Sequence, residues 1–155
     1  MQIQTATATI NEPGPLVKVV NEYSATHGRL VDAGISQPSD WQPLAEFIAT
    51  DEFKRVGAYL EVFDWDEYLA FLTDWASGGT QFEMTLLRIS EVGNIVVQEI
   101  EERHRRGDEF IRKNVVAIYA FNADNKIRHL DIYEQARDSG QWIIAAAEGA
   151  SAGDA

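Results

Sequence analysis

Apolar residues recur at helical spacing through the first half of the chain and alternate with polar ones through the second. From Pro15 onward, Leu16, Val20, Tyr23, His27 and Leu30 fall on one helical stripe, with Lys18, Glu22 and Arg29 off it, and Gly34 ends the run. Pro15 suits the opening position because the N–H it lacks would be unpaired there. Ser39-Asp40-Trp41-Gln42 resembles a capping box and predicts a short second helix over 40–50. Residues 51–62 carry mixed signals around Gly57 and predict a short strand or an irregular wall. Asp64-Trp65-Asp66-Glu67 is a second capping box, and the helix it opens over 64–77 turns Trp65, Tyr68, Leu69, Leu72 and Trp75 inward before stopping at Gly78-Gly79.

From Phe82 the period becomes two. The runs 82–90, 94–104, 109–122 and 126–136 are separated by Glu91-Val92-Gly93-Asn94, Arg105-Arg106-Gly107-Asp108 and Ala123-Asp124-Asn125. Gly, Asn and Asp turns between β-branched runs predict a four-strand meander. Three helices followed by a meander make an α+β layout: helices packed on one face of a curved, mainly antiparallel sheet, a cone with an apolar pocket between the layers. Residues 1–15, Thr/Ala-rich and ending in Glu12-Pro13-Gly14-Pro15, read as a loose arm; 16–144 read as a single domain, with Trp142-Ile143-Ile144 as a further edge or covering segment; 145–155 read as a disordered tail.

Composition narrows the function. At 155 residues the chain buries one real core. A net charge of -12 argues against nucleic acid and against an anionic membrane surface, which need clustered Lys and Arg. With no cysteine there is no disulfide framework, thiolate site or thiol nucleophile, and the three histidines are too dispersed to predict a metal site. No cofactor loop is present: Gly78-Gly79 follows a helix instead of opening one. No apolar run reaches membrane-spanning length and no apolar segment follows a basic start, so the expected location is cytoplasmic.

Two groups of residues could carry chemistry. Tyr23 and His27 lie one turn apart on the inward stripe of the first helix, where a phenol and an imidazole could polarise a carbonyl and shuttle a proton. Glu102 and His104 share one face of the second long strand with Gln98 and Ile100, and a carboxylate in an apolar pocket can serve as general base or acid. Both groups could equally be hydrogen-bonded core polar residues. Trp75, Tyr68 and Leu72 are core by default and could also line a pocket for a flat apolar ligand. His129, Asp131 and Tyr133 share one face of the last strand.

In order along the chain, the Tyr23 helix, the phrase Asp40-Trp41 to Leu44-Ala45-Glu46-Phe47, the run Phe82-Glu83-Met84 to Arg88-Ile89-Ser90 and the closing Lys126-Ile127-Arg128 to Ile132-Tyr133 resemble the NTF2-like superfamily. The likeness is to its SnoaL-like branch, with limonene epoxide hydrolases and ketosteroid isomerases, and covers residues 16–136. It implies a cone-shaped α+β barrel, often a homodimer through the outer sheet face, on which hydrolases, isomerases, dehydratases, cyclases and non-catalytic binders are all built. The implied register turns Glu102 and His104 into the cone, makes Asn114, Val116 and Ile118 pocket residues, and turns His129, Asp131 and Tyr133 toward a partner. The family's acid–base sets carry over poorly. The epoxide hydrolase Arg and Asp positions fall on Ile100 and Glu102, and its last-strand Asp on Ile132, or on Asp131 if the register slips by one. Of the isomerase set only Tyr23 matches, the others falling near Val56 and Ala117. Two functions follow as expectations. One is a cofactor-independent isomerase, lyase or hydrolase acting on a small apolar molecule (steroid-, terpenoid- or polyketide-like) through Tyr23, His27 and Glu102, with Asn114, Trp75, Tyr68, Leu72, Ile100, His104, Val116 and Ile118 around the substrate. The other is a non-catalytic binder or assembly subunit with the same cone.

Overall fold

The computed structural model describes residues 3–5, 13–135, 143, 145–146 and 148–149. Helix α1 (Pro15–Ala33) opens at the expected proline, but its first N–H groups are satisfied from far along the chain. Glu91 Oε2 accepts from the backbone N–H of Leu16 and of Val17, each at 3.1 Å. A carboxylate at a helix N-terminus also meets the positive end of the helix dipole. A Cβ on Gly14 would lie 2.3 Å from that oxygen, so a larger residue there would displace the Glu91 carboxylate from the helix end. At the other end Gly34 takes φ +92°, which glycine adopts without steric cost.

The second helix departs from expectation. Residues Pro38–Phe47 form a 3₁₀ segment and not an α-helix over 40–50. Pro43 sits inside it and cannot donate to a continuous α-helical ladder. Asp40 acts from inside the first turn: its Oδ2 accepts from the N–H of Ser36 at 2.9 Å and of Gln37 at 3.1 Å, and these bonds hold its carboxyl below the usual range. Helix α2 (Trp65–Ser77) follows the sequence closely. Asp64 accepts from Glu67 N–H and Glu67 accepts from Asp64 N–H, both at 2.9 Å, the reciprocal pair of a capping box.

The expected meander is present as β4 (Gln81–Val92), β5 (Ile95–Arg106), β6 (Glu109–Phe121) and β7 (Ile127–Gln135), all antiparallel. Three short strands extend it: β1 (Ile3–Thr5), β2 (Lys54–Val56) and β3 (Val62–Phe63). The seven-stranded order is β1-β4-β5-β6-β7-β2-β3, with β1 parallel to β4 and β2 parallel to β7. The arm expected over 1–15 therefore carries a strand, because Ile3–Thr5 pairs with Met84–Leu86. The tail expected over 145–155 falls mostly outside the described residues; those described from Ile143 to Gly149 are helical. Among the described residues no helix is long and apolar enough to cross a membrane.

Both helices and the 3₁₀ segment cover one sheet face. Val20, Trp41, Leu44, Phe53, Val96 and Ile127 are almost fully buried there. Truncating a side chain such as Trp41 to alanine in such a core costs about 3–5 kcal/mol.

Strand register sets which residues face this layer. A two-residue turn at Gly107-Asp108 pairs Arg106 with Glu109, and the ladder then fixes Glu102↔Lys113, Ile100↔Val115, Gln98↔Ala117 and Val96↔Tyr119. Directly opposed residues share a face. Since Ile100 and Gln98 are buried inward, Val115 and Ala117 must be too. Asn114, Val116 and Ile118 consequently point to the outer face, which corrects their expected place in the pocket. His129, Asp131 and Tyr133 lie opposite Ala120, Ile118 and Val116 on that outer face. There β4, β5 and β6 carry an ion-pair ladder, with Arg88–Glu99 at 2.5 Å, Arg103–Glu101 at 2.7 Å and Arg112–Glu101 at 2.6 Å.

Candidate functional site

Between helices and sheet lies a cavity of about 260 Å³, open at one side. Each element delivers side chains to it by its own period. Helix α1 contributes Tyr23, Ser24 and His27; α2 contributes Tyr68, Leu72 and Trp75; alternate β5 positions contribute Gln98, Ile100, Glu102 and His104. Tyr23, His27 and Glu102 thus open on one space, as do Trp75, Tyr68, Leu72, Ile100 and His104. Asn114, Val116 and Ile118 do not; their places are taken by Lys113, Val115, Ala117 and Tyr119.

The deep wall is phenolic. The Tyr23 and Tyr68 hydroxyls hydrogen-bond to each other at 3.2 Å. Tyr119 donates to Gln98 Oε1 at 3.2 Å, and Gln98 Nε2 donates to Ser24 Oγ at 3.3 Å. Burial is the main cause that pushes all three phenols above their ordinary value; for Tyr23 the neighbouring Tyr68 and Tyr119 add to it, while for Tyr68 the Arg55 guanidinium pulls the other way. They therefore stay protonated as donors. In the Tyr23–Tyr68 pair one hydroxyl donates to the other, so the second keeps its hydrogen for a further acceptor.

His27 sits among rings, with centroids 5.1 Å from Trp41, 5.8 Å from Trp75, 6.2 Å from Phe82 and 6.4 Å from Tyr23. Burial lowers its pKa to about 4, opposed by the Glu102 charge, so the imidazole is neutral at physiological pH. No group among the described residues hydrogen-bonds its ring, and none of its nitrogens is sealed from the cavity. It is a neutral donor–acceptor facing open space.

The opposite wall is ionic. Glu102 Oε2 lies 2.9 Å from His104 Nε2 and 3.8 Å from Lys113 Nζ, and Lys113 also contacts Glu134 Oε1 at 2.5 Å. Trp75 Nε1–H donates to His104 Nδ1 at 3.3 Å. Glu102 Oε1 has no hydrogen-bond partner among the described residues. A second cavity of about 270 Å³ adjoins here and shares Trp75, His104 and Lys113 with the first.

Residues 51–62 supply what sequence reasoning missed. Arg55 on β2 is buried in the cavity wall, its guanidinium 4.9 Å from the Phe71 ring centre and 5.4 Å from that of Tyr68, within cation–π range. Glu61 reaches it at 3.3 Å. Tyr59, on the connecting turn, lines the mouth and is largely exposed. A strand this short has too little alternation to reveal a buried arginine. Lys113 could have been found from the turn length, since it opposes Glu102.

No protein-family model matches the sequence, and no curated protein matches it significantly. Solved structures do. An NTF2-like protein of unknown function from Exiguobacterium sp. 255-15 superposes with a TM-score of 0.58 at 16% identity, over 73% of this chain and 98% of that one. The BvnE pinacolase of Penicillium brevicompactum gives 0.62 at 13%, over 89% and 96%. An LEH-like epoxide hydrolase of M. tuberculosis gives 0.52 at 18%, over 72% and 84%. At these identities the likeness shows the fold: this chain has the NTF2-like α+β cone.

Proposed function

We propose that the protein is a cofactor-independent enzyme that moves a proton on a small, largely apolar molecule bearing a carbonyl or hydroxyl oxygen. The observation that carries this reading is the opposition, across one apolar cavity, of a protonated phenol pair and a carboxylate with one unpartnered oxygen. Glu102 Oε1 takes a proton from the carbon adjacent to the substrate's carbonyl carbon. The Tyr23–Tyr68 pair donates to that oxygen as negative charge develops on it, and the proton returns at another position or leaves with a hydroxyl group. His27, neutral and unpaired, orients a second polar atom; a conjugate acid near 4 makes it a weaker base than the sequence alone implied.

Size limits the substrate. An apolar cavity of about 150 Å³ holds benzene, so about 260 Å³ accommodates about ten non-hydrogen atoms. That favours a monocyclic terpenoid or a short polyketide fragment over a steroid. Pinacolase and epoxide hydrolase activities among proteins of the same fold are compatible with oxygen-bearing apolar substrates.

The test starts with a native-mass ligand screen against ten-carbon ketones, alcohols and epoxides. With a turned-over ligand in hand, Glu102→Gln should lower turnover by about two to four orders of magnitude while leaving binding nearly unchanged. Tyr23→Phe should cost less, because Tyr68 keeps its hydroxyl. Unchanged turnover in Glu102→Gln overturns the assignment. Tight binding with no turnover in the wild-type protein favours a non-catalytic binder of the same ligands.

A further inference from the structure

We propose that Trp75 and His104 are positioning residues that commit one oxygen of Glu102 to structure and leave the other for the reaction, an inference that rests on the acid–base reading above. An indole N–H only donates, so the 3.3 Å contact from Trp75 Nε1 makes His104 Nδ1 the acceptor. A neutral imidazole accepting at Nδ1 carries its proton on Nε2, and that N–H points 2.9 Å from Glu102 Oε2. Lys113 Nζ stands 3.8 Å from the same oxygen and is itself held by Glu134. The His104 donor and the Lys113 charge therefore both lie on the Oε2 side.

The hydrogen-bond polarity runs one way, from tryptophan through histidine to carboxylate, and each step depends on the one before. Without the indole N–H the ring is free to carry its proton on Nδ1, which would turn a lone pair on Nε2 toward the negative Oε2. The carboxylate would then rotate away, and Oε1 would lose its fixed direction into the cavity. Geometry supports the chain at every joint. The Trp75 ring is packed edge-on against Phe82 at 5.3 Å, and His104 lies 5.0 Å from the same Phe82, so both rings are wedged by one neighbour. His104 and Glu102 are alternate residues of one strand, which fixes their separation. His104 works through Glu102 and transfers no proton itself.

Two measurements separate this proposal from the function it rests on. Nitrogen-15 NMR of labelled protein without ligand should show His104 as the neutral tautomer protonated on Nε2, and Trp75→Phe, which keeps an aromatic ring but removes the donor, should convert it to a tautomer mixture. A wild-type His104 protonated on Nδ1, or a spectrum unmoved by Trp75→Phe, overturns the proposal whatever the enzyme does. In turnover assays on the ligand found above, Trp75→Phe should lower kcat about 10–100-fold, the scale seen when the hydrogen-bond partners that orient metal ligands are removed, and by more than any change in KM. His104→Gln still offers an amide N–H to Glu102 and should retain activity within about tenfold, whereas His104→Leu should fall as Trp75→Phe does. Equal loss in His104→Gln and His104→Leu overturns the positioning role in favour of a proton-transferring histidine. If Glu102→Gln leaves turnover intact while the tautomer result holds, the acid–base reading falls and the hydrogen-bond chain stands.

Discussion

Replacing His27 with glutamine should remove a defined pH dependence from the stability of the fold. The imidazole is neutral in the folded protein down to about pH 4, whereas in the unfolded chain it titrates at its ordinary 6.5. Above 6.5 neither state binds the proton and His27 contributes no slope. Between 6.5 and 4 the unfolded chain binds a proton that the folded one excludes, so stability falls as pH falls through that window. Integrating the difference, the wild-type protein should lose about 2 kcal/mol between about pH 7 and about pH 5 that His27→Gln does not lose. For a domain of this size that corresponds to a Tm change of about 4–8 °C. Urea unfolding of both proteins across this range gives the difference directly, and taking the difference cancels groups titrating in common. A gap between the two curves that stays constant with pH would refute the reasoning, as would an NMR titration placing His27 near its ordinary value.

Three more outcomes follow. Tyr23→Phe breaks the hydroxyl pair with Tyr68 and should cost about 1 kcal/mol in urea unfolding; a loss several times larger would mean Tyr68 had been left without any partner. Gly57→Ala would place a Cβ 1.6 Å from Glu61 Oε1, so Glu61 must release Arg55, and the melting temperature should fall by about 2–4 °C for each kcal/mol lost; an unchanged melt would show that the turn has room to move. We propose that the protein is a homodimer through the outer faces of β6 and β7, where Val116, Ile118 and the exposed Tyr133 interrupt an otherwise charged surface. Light scattering at about micromolar concentration should give a dimer for the wild-type chain and a monomer for Ile118→Lys, and a monomeric wild type would refute it.

Much of the fold was legible because its signals are local. The helical stripe from Leu16 to Leu30, the Asp64–Glu67 box and the Gly, Asn and Asp turns each act within a few residues. The 3₁₀ segment escaped because Asp40 looks like the start of a helix while in fact it serves the backbone of Ser36 and Gln37 behind it. On β5 the inward face was legible, since Gln98, Ile100, Glu102 and His104 alternate with charged neighbours. On β6 it was not: Val115, Val116, Ala117 and Ile118 are apolar on both faces, and a lysine beside them looks like a surface residue. Lys113 faces inward because the two-residue turn sets it opposite Glu102, where Glu134 also meets it, a cross-strand fact that the residues flanking the lysine do not show. Arg55 was hidden for the same reason, being tolerated inside only by Glu61 and three aromatic rings.

The two-residue turn at Gly107-Asp108 has a consequence for how this cone could diversify. Because side chains alternate with period two, one residue inserted in or deleted from that turn would, wherever the two-residue turn re-forms, exchange the inner and outer sets of β6 relative to β5. Lys113, Val115, Ala117 and Tyr119 would leave the cavity, and Asn114, Val116 and Ile118 would enter it, without one of those seven residues being mutated. Indels in turns are ordinarily regarded as neutral surface variation. Here the turn acts as a frame for reading the strand, so descendants of one gene could acquire a different set of pocket groups in a single event, and aligning such descendants residue by residue along β6 would pair side chains that occupy opposite sides of the sheet.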